Sequence, residues 1–385
     1  MPERQQLLDS AQRLYHLIEK RHLGGGLLHG PDPGVRFNLR VWRFLKSAFP
    51  ILSRRDDYVF MQTQGYWALS NWMLHDLTGE PRYSEAALGC AEAVLRMETA
   101  GGAWPYPLPE RRHLIATLES MWGAAVLLAA YGRGARPEFL EGAVRACDFI
   151  TDHIRFQAHD GAEAINYFDQ PRGKVPNNSV TAVWFFLRMW KATGDQCFLA
   201  HVAALVRFVE GVQLRTGEIP YIVEGPNEKA RAHYLCFQYN AFQFLYMAWA
   251  DEIMPETWGR NALRSLARFL QGGVRENGAC ASDCAAVRLV GPVGPEVDYY
   301  TAALGAALHE AWRRGLCDDP DLSQRCFARV LARQKPGGGF GFSTGDYGVL
   351  KDGQSYPRQQ AMTLFHLLYA CGAGDGFAEL GLAQR

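Results

Sequence analysis

The sequence has no surplus of charge: Lys and Arg total 40, Asp and Glu total 40, and the formal net charge is zero. Proteins that work on nucleic acid or on anionic membrane surfaces normally carry a basic excess, so the balance argues against both partners. No run of about 18 apolar residues occurs, and no membrane-spanning helix is expected. The stretch from Met1 to Lys20 is charged and amphipathic and lacks the apolar core of a secretory leader. The nine cysteines are odd in number, scattered and mostly inside helical patterns, which suits free core thiols in a reducing cytoplasm better than a disulfide framework. The expectation is therefore a cytoplasmic chain with no cofactor and no metal.

What is present is a repeat. Near the C-terminus, Gln334-Lys335-Pro336-Gly337-Gly338-Gly339-Phe340 follows an apolar helical pattern. The same shape, a helix followed four residues on by glycine, recurs where Gln213 leads to Gly217, Val274 to Gly278, Gln157 to Gly161, Met97 to Gly101 and Arg21 to Gly25. These glycines return about every 60 residues, the mark of one supersecondary unit used repeatedly. The first interval is longer, and an insertion near 30–57 accounts for it.

Helical patterns precede the glycines over 4–21, 83–98, 137–156, 197–213, 258–274 and 321–335, and follow them over 61–77, 114–131, 178–193, 234–252, 298–314 and 357–371. The second set is richer in apolar and small residues, as in Thr181-Ala182-Val183-Trp184-Phe185-Phe186-Leu187. A helix that is apolar nearly all round is buried. The second set should form an inner ring and the first an outer ring. At 385 residues two domains would be the default, but a closed repeat extends one core. The expected fold is all-α, an (α/α)6 toroid of six helical hairpins, one domain spanning 1–385.

In such a ring the glycine loops hand the chain to the inner helices on one face. Loop residues and first helical turns then surround the mouth of a central cavity. The expected substrate-binding residues are Trp104, Tyr106, Asn178, Tyr221, His233, Gln238, Asn240, Asp346, Tyr356 and Arg358. Aromatic faces stack on sugar rings, and amides and arginines fix hydroxyl and carboxylate groups. Glu119, Glu218, Asp298 and Asp57 are the candidate catalytic carboxylates, and Tyr299 and Tyr300 the candidate proton-moving phenols. Each also has a plainer reading. Asn178 beside Asn177, or Asp298, can cap a helix; Glu119 can be a buried hydrogen-bonding group; Asp57 can belong to a solvated charge run; Arg358 can pair with Asp352 or Asp346.

In its last loop the chain resembles the terpenoid cyclase and protein prenyltransferase toroids, whose repeat loop reads Gln, three residues, Gly, one residue, Trp. Gln334, Gly338 and Phe340 stand in those places, and Gln213, Gly217 and Ile219 follow more loosely. The Asp-x-Asp-Asp acid of the class II cyclases has no counterpart, since Asp318-Asp319-Pro320-Asp321 falls in an inter-helix turn. Where the prenyltransferases hold zinc with Asp-x-Cys and a distant His, this chain has Asp298-Tyr299-Tyr300 and His366, a phenol replacing the thiolate. A Cys-His pair like that of the lanthionine cyclases is also missing. In its helix pairs, its Thr78-Gly79-Glu80 and Thr193-Gly194-Asp195 helix ends, and its loops mixing Trp, Tyr and carboxylates, the chain also resembles the six-hairpin glycoside hydrolases, polysaccharide lyases and uronate epimerases.

The second resemblance implies a carbohydrate-active enzyme acting on a hydroxyl-rich or uronic-acid-containing glycan, with an oligosaccharide or other small molecule as its ligand. Hydrolysis needs two carboxylates, about 5–5.5 Å apart for retention or about 6.5–9.5 Å apart for inversion. Lyase or epimerase chemistry would use Tyr299 or Tyr300 as acid or base, with Arg358 neutralising the substrate carboxylate. The first resemblance implies an apolar aromatic cavity with one buried acid. A noncatalytic glycan-binding or scaffold toroid would show no close pair of perturbed titratable groups.

Overall fold

A computed structural model describes residues 4–33, 41–49, 56–134, 136–226, 228–284, 294–346 and 349–373. Its helices are α1 (Arg4–His22), α2 (Val41–Ala48), α3 (Met61–Thr78), α4 (Pro81–Met97), α5 (Thr117–Gly132), α6 (Pro137–Phe149), α7 (Pro176–Thr193), α8 (Val202–Val212), α9 (Cys236–Ile253), α10 (Arg260–Gln271), α11 (Asp298–Arg313), α12 (Asp321–Arg333) and α13 (Pro357–Leu368). Leaving α2 aside, inner and outer helices alternate. Six inner helices pack in sequence, α3 on α5, α5 on α7, α7 on α9, α9 on α11 and α11 on α13, and α13 returns to α3. Each carries an outer helix, and the outer partner of α13 is α1, so the two ends of the described chain complete the ring. The fold is the expected (α/α)6 toroid.

The division into rings follows the residue pattern. Helix α5 buries an unbroken run from Glu119 to Ala130, whereas α10 buries only Ala262, Leu263, Leu266, Ala267 and Leu270, one face at helical spacing. Inner helices end where the Thr-Gly pairs stood. The Thr78 hydroxyl donates to the Leu74 carbonyl at 2.7 Å and accepts from the Glu80 N–H, while Gly79 turns left-handed at φ 72°. Thr193, Gly194 and Asp195 repeat the device. The Thr-Gly pair is thus a helix stop.

The Gln-x3-Gly loop is likewise a packing device. Gly217 has φ 92°, and a Cβ there would lie 2.1 Å from the Ser265 carbonyl oxygen of α10; at Gly338 (φ 87°) it would lie 2.4 Å from that of Arg13 in α1. Only glycine allows both the backbone conformation and the approach. Gln213 donates to the carbonyls of Gly217 and Ala262, and Gln334 to those of Gly338 and Ser10, so each glutamine closes its own loop and holds the next outer helix. In the second repeat the left-handed glycine is Gly102, one residue beyond the expected Gly101, because Gly102 is the one that meets the Arg145 carbonyl.

The insertion contributes α2, part of it lying outside the described residues. Among the described residues three small antiparallel sheets go beyond the all-helical expectation: β1 (Leu23–Gly24) with β2 (Leu27–Leu28), β3 (Phe156–His159) with β4 (Ala162–Ile165), and β5 (Glu296–Val297), β6 (Ser343–Asp346) and β7 (Leu350–Asp352) in that order. Among the described residues no helix is long and apolar enough to cross a membrane.

Candidate functional site

The inner helices all present their N-terminal turns to one pocket. Its lining includes Gln62 of α3, Leu118 of α5, Asn177 and Asn178 of α7, Gln238 and Tyr239 of α9, Tyr299 of α11, and Arg358 and Gln359 of α13. Tyr167, Val175 and Tyr221 come from the loops, and Phe242, Tyr246 and Met362 lie further down their helices. The cavity measures about 130 Å³. That is the space of a single ring rather than a long chain, since pockets for drug-sized ligands usually exceed about 300 Å³. The partial positive charge at each helix N-terminus falls off within a turn, and here six such ends converge. The pocket therefore favours negative charge before any side chain is counted.

Among the described residues the one charged side chain in its lining is a cation, Arg358. No carboxylate lines the pocket among the described residues. Arg358 projects from the first turn of α13. Its guanidinium lies 4.5 Å over the Phe60 ring and is held by Asp32, with Nε 2.8 Å from Oδ2 and a second nitrogen donating to Oδ1 at 2.9 Å. Around it stand polar atoms with no hydrogen-bond partner among the described residues: Oδ1 of Asn177, both amide atoms of Asn178, and Oε1 of Gln238 and of Gln359. Buried amides are almost always paired, and a group of unpaired ones facing one space is a set of contacts for a hydroxyl-bearing ligand. The Gln238 amide donates to the Tyr299 hydroxyl at 3.4 Å. Burial holds the Tyr299 phenol protonated, well above its usual range, although Arg358 pulls the other way.

Five expected site residues meet in this lining: Asn178, Tyr221, Gln238, Tyr299 and Arg358. Asn178 is not a cap, since Val175 occupies the N-cap of α7. Phe242 and Tyr246 were missed by the sequence reading, although they follow Gln238 at steps of four along one face of α9.

Other candidates are committed to packing. Trp104 is buried, donates its indole N–H to the Val94 carbonyl at 3.0 Å and covers Gly123, where a Cβ would lie 2.7 Å from its ring. Asn240 uses its amide on the backbone of Ile219, accepting from the N–H at 2.8 Å and donating to the carbonyl at 3.2 Å. Gln64 clamps Leu28 and Gln360 clamps Phe340 in the same way, so this is a fold device and not a ligand contact. Tyr356 is fully buried and donates to Asp352 at 2.9 Å. Tyr300 is buried edge-on against Tyr299, with ring centroids 4.5 Å apart. Tyr106 packs with Leu114, Ala116 and Phe168 beside the pocket wall. Of Asp346 only the backbone, in β6, is described; its side chain lies outside the described residues.

The four candidate carboxylates also stay out of the lining. Asp298 is clamped by Arg333 of α12, which also lies 3.3 Å from Glu296, and burial raises the Asp298 carboxyl to about 6. Asp57 is exposed and pairs with His29. Glu119 is buried in the first turn of α5 and accepts the Met61 N–H at the start of α3. Burial raises its carboxyl to about 7, against the opposing pull of Arg358 and the Met61 amide. Glu218 and His233 face each other at 2.8 Å, joined by Cys236 and Cys284.

No protein-family model matches the chain, and no curated protein matches it in sequence. Solved structures do match its fold over nearly its whole length. A cellobiose 2-epimerase from Bacillus thermoamylovorans gives a TM-score of 0.71 at 11% identity, covering 94% of this chain and 98% of that one. A glycosyl hydrolase of family 88 from Bacteroides vulgatus gives 0.66 at 10%, covering 96% and 99%. An alpha-1,6-mannanase from Salegentibacter gives 0.66 at 10%, covering 95% and 99%. At such identities the shared property is the fold, an (α/α)6 toroid.

Proposed function

We propose that the chain is a carbohydrate-active enzyme that takes one uronic-acid residue of a glycan into this pocket and moves a proton beside its carboxylate, as a lyase or an epimerase does. The observation that carries the reading is the composition of the lining: Arg358, unpaired amides and tyrosines at six converging helix N-termini, with no carboxylate among the described lining residues. The toroids similar in fold include an epimerase and glycoside hydrolases. Hydrolysis by a carboxylate pair fits this lining poorly, because the carboxyl groups must flank the scissile bond. Proton transfer beside a carboxylate fits better. Arg358 and the helix ends would stabilise the negative charge that develops on the carboxylate as the neighbouring C–H bond breaks. The proton released from that carbon would pass to water in the pocket, and Tyr299, held protonated, would return one as the acid, to the leaving glycosidic oxygen in a lyase or to the other face of the carbon in an epimerase. A terpenoid or prenyl substrate fits less well, since the amides would be left unpaired against it. The nine unpaired cysteines favour a reducing compartment.

The reading is tested by thermal shift with uronic-acid oligosaccharides, neutral oligosaccharides and prenyl diphosphates in parallel. Ligands that bind the native state raise its stability with occupancy. Stabilisation by the uronic acids that Asn178→Ala weakens supports the reading. Stabilisation by prenyl diphosphates alone overturns it.

A further inference from the structure

Four side chains with metal-ligand chemistry converge beside the start of α9 from three separate places in the sequence. Glu218 follows Gly217 in the loop after α8; His233 and Cys236 bracket the start of α9; Cys284 lies in the loop after α10. One ligand atom of each lies within 4.8 Å of all the others. The Cys284 sulfur is 3.5 Å from His233 Nδ1 and 3.8 Å from Glu218 Oε2. A tetrahedral zinc ion with bonds of about 2.0–2.3 Å sets its ligand atoms about 3.3–3.8 Å apart. These two spacings already have that size. The 2.8 Å contact between His233 Nδ1 and Glu218 Oε2 is a hydrogen bond, and it would have to open by about half an ångström to admit the ion.

We propose that Glu218, His233, Cys236 and Cys284 bind one zinc ion. Two thiolates, an imidazole and a carboxylate are a borderline-soft donor set that suits zinc and disfavours magnesium or calcium. Binding replaces the two thiol protons, which leave to solvent. The charge of the ion answers a second observation. Glu218 is 1% exposed, its Oε1 has no hydrogen-bond partner among the described residues, and it forms an ion pair with His233. A buried carboxylate so placed needs a cation. Local structure prepares the site. Leu235 adopts φ 44°, and its N–H donates to Asp283 at 2.9 Å, which fastens the Cys284 loop to the start of α9. Cys236 sits in the first turn of α9. Four protein ligands complete the coordination, so the ion is structural. It staples the loop that leads to Tyr221 and the helix that begins two residues before Gln238, fixing one wall of the pocket.

This proposal does not rest on the glycan reading, and its test uses no sugar. Full-length protein, purified without chelator, is analysed for metal and then stripped and titrated with cobalt(II) chloride. The expected result is about one zinc per chain, and on cobalt addition a sulfur-to-cobalt charge-transfer band with the intense visible bands of tetrahedral cobalt. Cys284→Ser should lose the charge-transfer intensity and bind at least tenfold more weakly; Cys197→Ser, at an exposed and remote thiol, should match the parent. The wild-type cobalt spectrum stands even where Cys284→Ser fails to fold. A cobalt complex without thiolate bands, no binding of zinc or cobalt, or a Cys236–Cys284 disulfide in the native protein would overturn the proposal.

Discussion

The side-chain amide of Gln334 donates to the carbonyl oxygen of Ser10 across 2.8 Å of space and 324 residues of sequence. The same amide reaches Gly338, and Arg13 donates back to its oxygen at 2.7 Å. One side chain therefore joins the last repeat to the first. A ring closed in this way should respond to loss of Gln334 as it responds to loss of Gln213, which makes the equivalent contacts inside the chain. Each Gln→Ala change strands backbone acceptors and should cost about 1–2 kcal/mol in denaturant melts. A silent Gln334→Ala beside a costly Gln213→Ala would mean that the seam is not closed.

Glycines in the loops separate conformation from space. Gly161 has φ 76° with nothing within 4 Å of an added Cβ, whereas at Gly217 the added carbon meets backbone at 2.1 Å. Gly161→Ala should cost about 1 kcal/mol, the price of the left-handed backbone alone. Gly217→Ala adds overpacking against a helix that cannot yield, and should cost about 3 kcal/mol or more. Equal costs would contradict the packing described for the Gln-x3-Gly loop.

Glu119 gives a pH signature. Burial raises its carboxyl from 4.5 to about 7, so in that interval the folded protein binds the proton more tightly than the unfolded chain does. The contribution to stability is present in full below the unfolded value and is lost as the pH rises through the folded one. Glu119→Gln keeps an acceptor for the Met61 N–H and removes the titration. Relative to this variant, the wild type should lose up to about 3 kcal/mol between pH 4.5 and pH 8, measured by urea melts at both. A difference that does not change with pH would show that the carboxyl is not perturbed.

Asn178 separates ligand from fold. Both atoms of its amide lack a protein partner among the described residues, so Asn178→Ala should change stability by less than about 1 kcal/mol. Loss of one or two ligand hydrogen bonds should weaken binding of a uronic-acid oligosaccharide about tenfold. Arg358→Ala should differ: it strips the guanidinium from buried Asp32 and should cost about 2–3 kcal/mol of stability as well as binding. Calorimetric titration and thermal melts on both variants check the contrast.

Much of the fold was legible because a toroid repeats. The glycine period, the apolar inner helices and the Thr-Gly stops each recur, and recurrence corrects local error. The pocket was legible in part for the same reason: six parallel inner helices must place their first turns together. The failures lie where side chains choose between neighbours. Gln238 and Asn240 are two residues apart and point to different sides of α9, one into the pocket and one to Ile219. Composition cannot tell them apart; only the recurrence of Gln64, Asn240 and Gln360 near the starts of three inner helices hinted at the clamp. The cluster of Glu218, His233, Cys236 and Cys284 was hidden more deeply, since its members span two repeats and form no compact motif.

The most direct test of the proposed chemistry is to incubate the protein with uronic-acid oligosaccharides in deuterium oxide and examine the products by NMR. Proton transfer beside the carboxylate predicts deuterium at the carbon that bears the carboxylate, or loss of the hydrogen there with a new double bond, in wild type and strongly reduced in Tyr299→Phe. Glycosidic cleavage with that carbon–hydrogen bond intact would contradict it and return the search to a carboxylate pair.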